Sequence, residues 1–477
     1  MSIPYPWLLG FGVTALLLVL GATSGLVNSK LWVSEPLVCA AFGVAMGPFG
    51  AGLLRLDASA DPQAHAFLRE AARVTLAIAV LAAALRLPRG WLGGHWRGLA
   101  VALGPGMLLM WAAGAAVAFW CLGLPPLVCM LVGAITAPTD PVLSAPVVSG
   151  ELARRAVPFD LRHAITAESS INDGLAGPFV MLPVALLTVA GGIGHQAGEW
   201  LLHAVLWEVG SAVVIGAAAG YAASRLLRWA NQLGADRSSL LTIALALALA
   251  TLTGLQAVGG NGVLGAFVAG AVLNERYEDD YAEHQEHFNE AITRFFDLPI
   301  MILLGVAAPW QAWAGMGWRA PAFAACVLLL RRMPAWLLLG RFMPWARSVP
   351  ENLFAGWFGP VGAAALFYAL EAQDLMGLDT LWPVVSLAAA ASVVAHGLTG
   401  THLSALLGAR LGRRAAPWSG SGCSRSFRWR RPCITFLASR RSGCSWPAFS
   451  AWACSRIGSA PRPSSSRSTP ARPWAAC

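Results

Sequence analysis

Lysine is almost missing from this chain: Lys30 is the single lysine among 33 basic residues, which stand against 24 acids. A shortage of one codon family, with arginine in its place, reflects a GC-rich coding sequence and says nothing about partners. Charge of either sign is also thin, at 12% of 477 residues with 57% hydrophobic. An ordinary soluble domain carries about 25% charged residues, so this composition excludes that class and predicts a polytopic membrane protein. Acid is absent from residues 417–477, which hold ten arginines; without them the formal +9 becomes −1 over residues 1–416. That excludes a nucleic-acid-binding reading. The nine cysteines lack metal-site or disulfide spacing: Cys39, Cys121, Cys129 and Cys326 lie in apolar runs as small fillers, and the other five fall in the tail. No phosphate-binding loop, metal cluster or nucleophile with a base is evident, so neither an enzyme nor a cofactor is expected.

What is present is a succession of apolar runs. The first, Trp7 to Val27, has no basic residue before it and exceeds a signal-peptide core, so it reads as a retained span. Broken at charges and turn residues, hydropathy predicts about thirteen transmembrane helices, among them spans at 67–87, 126–149, 161–190, 319–341, 351–371 and 381–407. With the N-terminus outside and the C-terminus inside, seventeen Lys and Arg fall on inside segments and four outside, as cytoplasmic loops require. Thirteen divides into two six-span units around one linker span, which predicts inverted repeats. The paired fifth and twelfth spans are both interrupted, by Pro138 and Pro141 in TAPTDP and by Gly359 and Pro360 in GWFGPVG. Proline frees backbone carbonyls, tolerable at bilayer depth only where protein or water takes them up, so two broken crossing helices point to a binding site.

The sixth span contains AESSINDG, residues 167–174. A carboxylate at bilayer depth costs roughly 2.5–3.5 kcal/mol on insertion scales, and here there are two. Ser169 and Asp173 share one helix face and Glu168 and Asn172 another, about 100° away. Proton and cation can compete for one such carboxylate, since each neutralises a charge the bilayer would otherwise have to solvate. Glu168 needs a counter-charge, and Arg331 and Arg332 are the two basic residues that no loop absorbs. We expect one of them to hold Glu168 and favour Arg331, three before Pro334; the alternative is that both reach the inner interface. His396 reads as a packed helix-interface residue. The acidic loop from Glu275 to Glu290, with His284 and His287, reads as solvated rather than as a cation or pH sensor.

APTDPV (137–142), ESSINDG (168–174), GNGVLGAFVAG (260–270), GWFGPVGAAALFYA (356–369) and SVVAHG (392–397) occur in order over residues 1–412. Together they resemble the sodium/proton exchanger branch of the monovalent cation:proton antiporters. The resemblance implies that Asp173 binds the transported Na+ or K+, or a proton, with Ser169 and Thr139 as further oxygen ligands. It implies that Asp140 steadies half-helix ends, that an arginine of the eleventh span pairs with Glu168, and that Asn172 orients Glu168. It further implies one-for-one electroneutral exchange by alternating access, an ion-carrying core at 98–190 and 319–407, a scaffold at 7–87 and 201–308, a homodimer, and residence in a bacterial inner membrane. A channel or a transport-dead sensor is the alternative. Some relatives carry a carboxylate ligand on the third span, where this chain reads VTLAIAVLAAAL between Arg73 and Arg86; ion preference therefore does not carry over.

Residues 413–477 form a tail rich in Arg, Ser, Pro, Trp and Cys without apolar periodicity. Five tryptophans and five cysteines are uncharacteristic of a disordered regulatory segment. We expect an out-of-frame or unstructured stretch with no function of its own.

Overall fold

The computed structural model describes residues 10, 12–16, 33–188, 190–232, 240–276 and 293–412. Most of the first span, the acidic loop from Tyr277 with His284 and His287, and the tail from residue 413 lie outside the described residues. Every regular element among the described residues is helical. They begin with α1 (Glu35–Met46), α2 (Pro62–Arg86), α3 (Trp91–Leu122), α4 (Pro126–Thr136) and α5 (Phe159–Thr188). There follow α6 (Ile193–Ala230), α7 (Leu240–Ala257), α8 (Gly262–Arg276), α9 (Leu298–Val306), α10 (Arg319–Leu330) and α11 (Met333–Leu339). The last are α12 (Val349–Trp357), α13 (Ala363–Met376) and α14 (Leu381–Arg410).

Five stretches are long and apolar enough to cross a membrane: α3, α5, α6, α14 and Arg319–Phe342, which contains α10 and α11. Shorter apolar helices, including α1, α4 and α9, accompany them. The result is a polytopic helical bundle. The helix α5 is buried on every side from Ala164 to Ser170 and again from Asn172 to Gly174, the pattern of a central helix rather than an amphipathic surface one.

Close approach of backbones fixes its neighbours. Gly174 lies against Leu264 of α8, where a Cβ would come within 2.8 Å of the Leu264 backbone. Small residues at a helix contact allow this spacing, which membrane helices use because lipid provides no hydrophobic drive between them. Asn261 reinforces the contact: its Nδ2 donates to Gly174 O (2.8 Å), while its Oδ1 accepts from Leu264 N (2.9 Å) and so caps α8.

Both expected helix breaks are present. The helix α4 stops at Thr136, and residues 137–144 run without regular helix past Pro138 and Pro141. The helix α12 opens with a full capping box of Ser348 and Glu351, stops at Trp357, and is separated from α13 by residues 358–362, which include Gly359 and Pro360. The two breaks meet, with Asp140 N donating to Pro360 O at 2.8 Å. A third interruption, at Arg331 and Arg332, parts α10 from α11 ahead of Pro334. It places both arginine side chains inward, at 2% and 1% exposure.

Candidate ion-exchange site

Two interrupted helices leave two kinds of orphan backbone group, carbonyls where a half-helix ends and N–H groups where one begins. Each kind meets the opposite charge. Arg331 donates through Nη1 to the carbonyls of Thr136, Ala137 (2.8 Å) and Pro138 (3.1 Å), and through Nη2 to the carbonyl of Gly359. One guanidinium thus holds the carbonyl ends of both breaks. Asp140 does the converse. Its Oδ1 accepts from Val142 N (2.7 Å) and Leu143 N (3.1 Å), and its Oδ2 from Ala363 N (2.7 Å), the first residue of α13. Cation on carbonyl ends and carboxylate on N–H ends is the favourable sense for the half-helix dipoles. Gly362 makes the approach possible, since a Cβ there would fall on the Asp140 carboxylate.

The partner of Glu168 is Arg332, not Arg331 as the position of Pro334 suggested. Arg332 Nη1 lies 2.7 Å from Glu168 Oε1, with side-chain exposures of 1% and 0%. The helix loses its regular geometry at this point, with φ −109° at Arg332, so the ideal 100° step between neighbours does not decide which one faces α5. Arg331 is instead committed to the four carbonyls. Arg332 also donates from Nε to Ala355 O (3.1 Å) and packs over the Trp336 ring at 4.8 Å.

Asn172 and Thr139 link this ion pair to the break. Asn172 Nδ2 donates to Glu168 Oε1 (3.0 Å) and to Thr139 Oγ1 (3.0 Å), and its Oδ1 accepts from Thr139 N (3.0 Å). The pairing of Glu168 with Asn172, four residues apart, is thus present. Thr139 Oγ1 lies 3.0 Å from Ser169 Oγ, so the break and the Ser169 face of α5 are in direct contact.

Asp173, one turn after Ser169, differs from every other charged group here. It is fully buried, and neither carboxylate oxygen finds a hydrogen-bond partner among the described residues. Its backbone carbonyl accepts from Tyr368 OH at 2.9 Å. Asp140 and Glu168 are close enough for their charges to act on it. The residues that meet at the two breaks and the middle of α5 thus set three buried carboxylates (Asp140, Glu168, Asp173) against two buried guanidinium groups (Arg331, Arg332). Asp140 and Glu168 are engaged; Asp173 is the uncompensated one. A buried carboxylate in that position must take up a proton or a cation, because its desolvation is otherwise too costly. Ser169, one turn before Asp173 on α5, and Thr139 of the first break bring their hydroxyl oxygens to within 3.0 Å of each other.

Sequence reasoning missed Tyr368 and Asn261. Each is a lone polar residue in an apolar motif, FYA and GNG, which was the available signal. It also left His396 without a partner. The structure packs His396 between two carbonyls, with Nε2 2.8 Å from Trp357 O at the end of α12 and Nδ1 beside Ser392 O (2.8 Å) and Ser392 Oγ (3.0 Å). Ser392 Oγ in turn accepts from Val361 N within the second break (2.8 Å).

Comparison with known proteins bears on this arrangement. A family model described as the transmembrane sodium/hydrogen exchanger matches residues 13–406. The chain is 30% identical over 404 residues to Na(+)/H(+) antiporter 2 of Zygosaccharomyces rouxii, covering 78% of this chain and 49% of that one. It is 29% identical over 402 residues to a probable Na(+)/H(+) antiporter of Schizosaccharomyces pombe, covering 78% and 52%. The chain thus spans about half the length of these relatives. They are fungal and lend no support to a bacterial inner membrane. Among solved structures, the sodium proton antiporter MjNhaP1 from Methanocaldococcus jannaschii at pH 8 superposes with a TM-score of 0.65 at 17% identity, over 85% of this chain and 100% of that one. At that identity the likeness speaks for the fold alone.

Proposed function

The chain belongs to the sodium/hydrogen exchanger family, and on that premise we propose that it is a secondary active cation:proton antiporter whose exchange site is Asp173. The observation that carries this reading is the lone carboxylate, both oxygens unsatisfied, in a buried group otherwise balanced by two arginines. One monovalent charge neutralises that group. A proton and a Na+ or K+ ion are then mutually exclusive occupants, and each crossing carries the same net charge in either direction. One-for-one electroneutral exchange follows from that balance. Ser169 and Thr139 supply neutral oxygen ligands; Asp140, Glu168, Asn172, Arg331 and Arg332 hold the ligands in place.

The two halves of the site ride on elements of the proposed core, 98–190 and 319–407, which shifts against a scaffold of 7–87 and 201–308 to open Asp173 to one side at a time. The remaining parts of the proposal are a thirteen-span frame of inverted repeats, N-terminus out and C-terminus in, and a homodimer joined through the scaffold. The test is proton flux in proteoliposomes containing the purified chain, driven in turn by NaCl, KCl and LiCl. Flux with at least one cation, undiminished by clamping the membrane potential to zero, is expected. A cation current that carries no protons would make the protein a channel.

A further inference from the structure

Helix α5 carries Pro178 one turn beyond Gly174. Proline has no N–H, so Gly174 O loses the intrahelical donor it would otherwise have, and the pyrrolidine ring crowds the same carbonyl. Within a bilayer a carbonyl freed in this way has to be taken up by protein or by a wet cavity. Here Asn261 Nδ2 takes it up, at 2.8 Å.

Asn261 is itself firmly mounted. Its N–H donates to Glu208 O of α6 (3.2 Å), its carbonyl accepts from Gly265 N (3.0 Å), and its Oδ1 accepts from Leu264 N (2.9 Å). A backbone N–H can only donate, so the Leu264 contact fixes which end of the amide is oxygen and leaves Nδ2 facing Gly174. Every polar group of Asn261 except Nδ2 is thus bound within α6 and α8, and Nδ2 alone crosses to α5. Backbones approach closely at the same place. A Cβ on Gly174 would meet Leu264 Cα and Cβ at 2.8 Å, and a Cβ on Gly177 would meet Asn261 Nδ2 at 3.0 Å. Two glycines and a freed carbonyl therefore form a seat for one amide, and that seat begins at the residue next to Asp173.

The carbonyl of Asp173 offers the contrast. It accepts from Tyr368 OH of α13, and α13 and α5 both belong to the proposed core, so that bond travels with the helix. The bond from Asn261 joins the proposed scaffold to the proposed core, across the surface on which the two would slide.

We infer that Asn261 is a positioning residue for exchange: its amide seats on Gly174 O in the state seen here, gives up that bond when the core moves, and so sets how the core divides its time between its two positions. The inference rests on the exchange reading. The apparent affinity at each face is the intrinsic affinity reduced by the share of protein open to that face. A change in the division therefore weakens cation binding at one face and strengthens it at the other. A residue needed only for folding would lower the amount of active protein and leave both affinities in place.

Asn261→Ser isolates the contact, because serine still offers an oxygen to cap Leu264 N but is too short to reach Gly174 O. The cation KM of the full chain is measured at the inner face in everted vesicles and at the outer face in right-side-out vesicles. Asn261→Ser should move the two KM values in opposite directions and change their ratio by about fivefold, the worth of one hydrogen bond. Gly174→Ala, whose methyl would meet Leu264, should shift the ratio in the same sense, and it decides the matter if Asn261→Ser yields no folded protein. An unchanged ratio, or two KM values that rise together, overturns the inference while exchange in the parent leaves the exchange reading standing. Absence of exchange in the parent from either face removes both.

Discussion

Arg332 Nη1 sits 2.7 Å from Glu168 Oε1, in an ion pair sealed from solvent on both sides. Its neighbour Arg331 makes no such pair among the described residues and binds the carbonyls of Thr136, Ala137, Pro138 and Gly359. Two adjacent residues of one type thus carry separate tasks: Arg332 neutralises a side chain, and Arg331 neutralises two helix ends.

Removing one member of a buried ion pair strands the other. Arg332→Gln should therefore lower stability by about 3–5 kcal/mol, and Glu168→Gln/Arg332→Gln should recover part of the loss. Thermal unfolding of the two variants in detergent, compared with Glu168→Gln alone, checks both statements.

Arg331 works through the shape of its fork as well as its charge. Lysine keeps the charge but cannot reach four carbonyls on two segments. Arg331→Lys should cut exchange by roughly tenfold or more, with a smaller loss of unfolding temperature than Arg331→Ala, through loss of about two hydrogen bonds. Flux and thermal unfolding on the same preparations separate the two effects.

Gly362 is where α13 meets Asp140. An alanine there would place its Cβ on the carboxylate oxygen that accepts from Ala363 N, so Gly362→Ala should force the breaks apart and abolish exchange. Gly254→Ala, within α7 and with open space where its Cβ would lie, is the control, and its flux should stay within about twofold of the parent.

The helical class and the two breaks could be read from the sequence, because proline and glycine act locally and hydropathy is a one-dimensional signal. The association of Glu168 with Asn172 was legible for the same reason, being four residues apart on one helix. The choice between Arg331 and Arg332 was not, since it depends on a kink whose direction is set by tertiary packing. Nor was the reach of Asp140 to Ala363, or of Tyr368 to the Asp173 carbonyl: both join segments about two hundred residues apart. Motifs marked which residues matter, and three-dimensional contact decided what each one touches.

If proton and cation share Asp173, acid should act as a competitive inhibitor. Lowering pH on the cation-loading side should raise the apparent KM for the cation, by up to about tenfold per pH unit, while the maximal rate stays constant. Initial rates at several cation concentrations and pH values discriminate this from inhibition at a separate site, which would lower the maximal rate.

The most direct test is cation binding to the purified protein, measured by calorimetry in buffers of different ionisation enthalpy so that released protons are counted. The parent should release one proton for each cation bound, and Asp173→Asn, folded to the same unfolding temperature within a few degrees, should show neither binding nor release. Cation binding with proton release retained in Asp173→Asn would contradict the account.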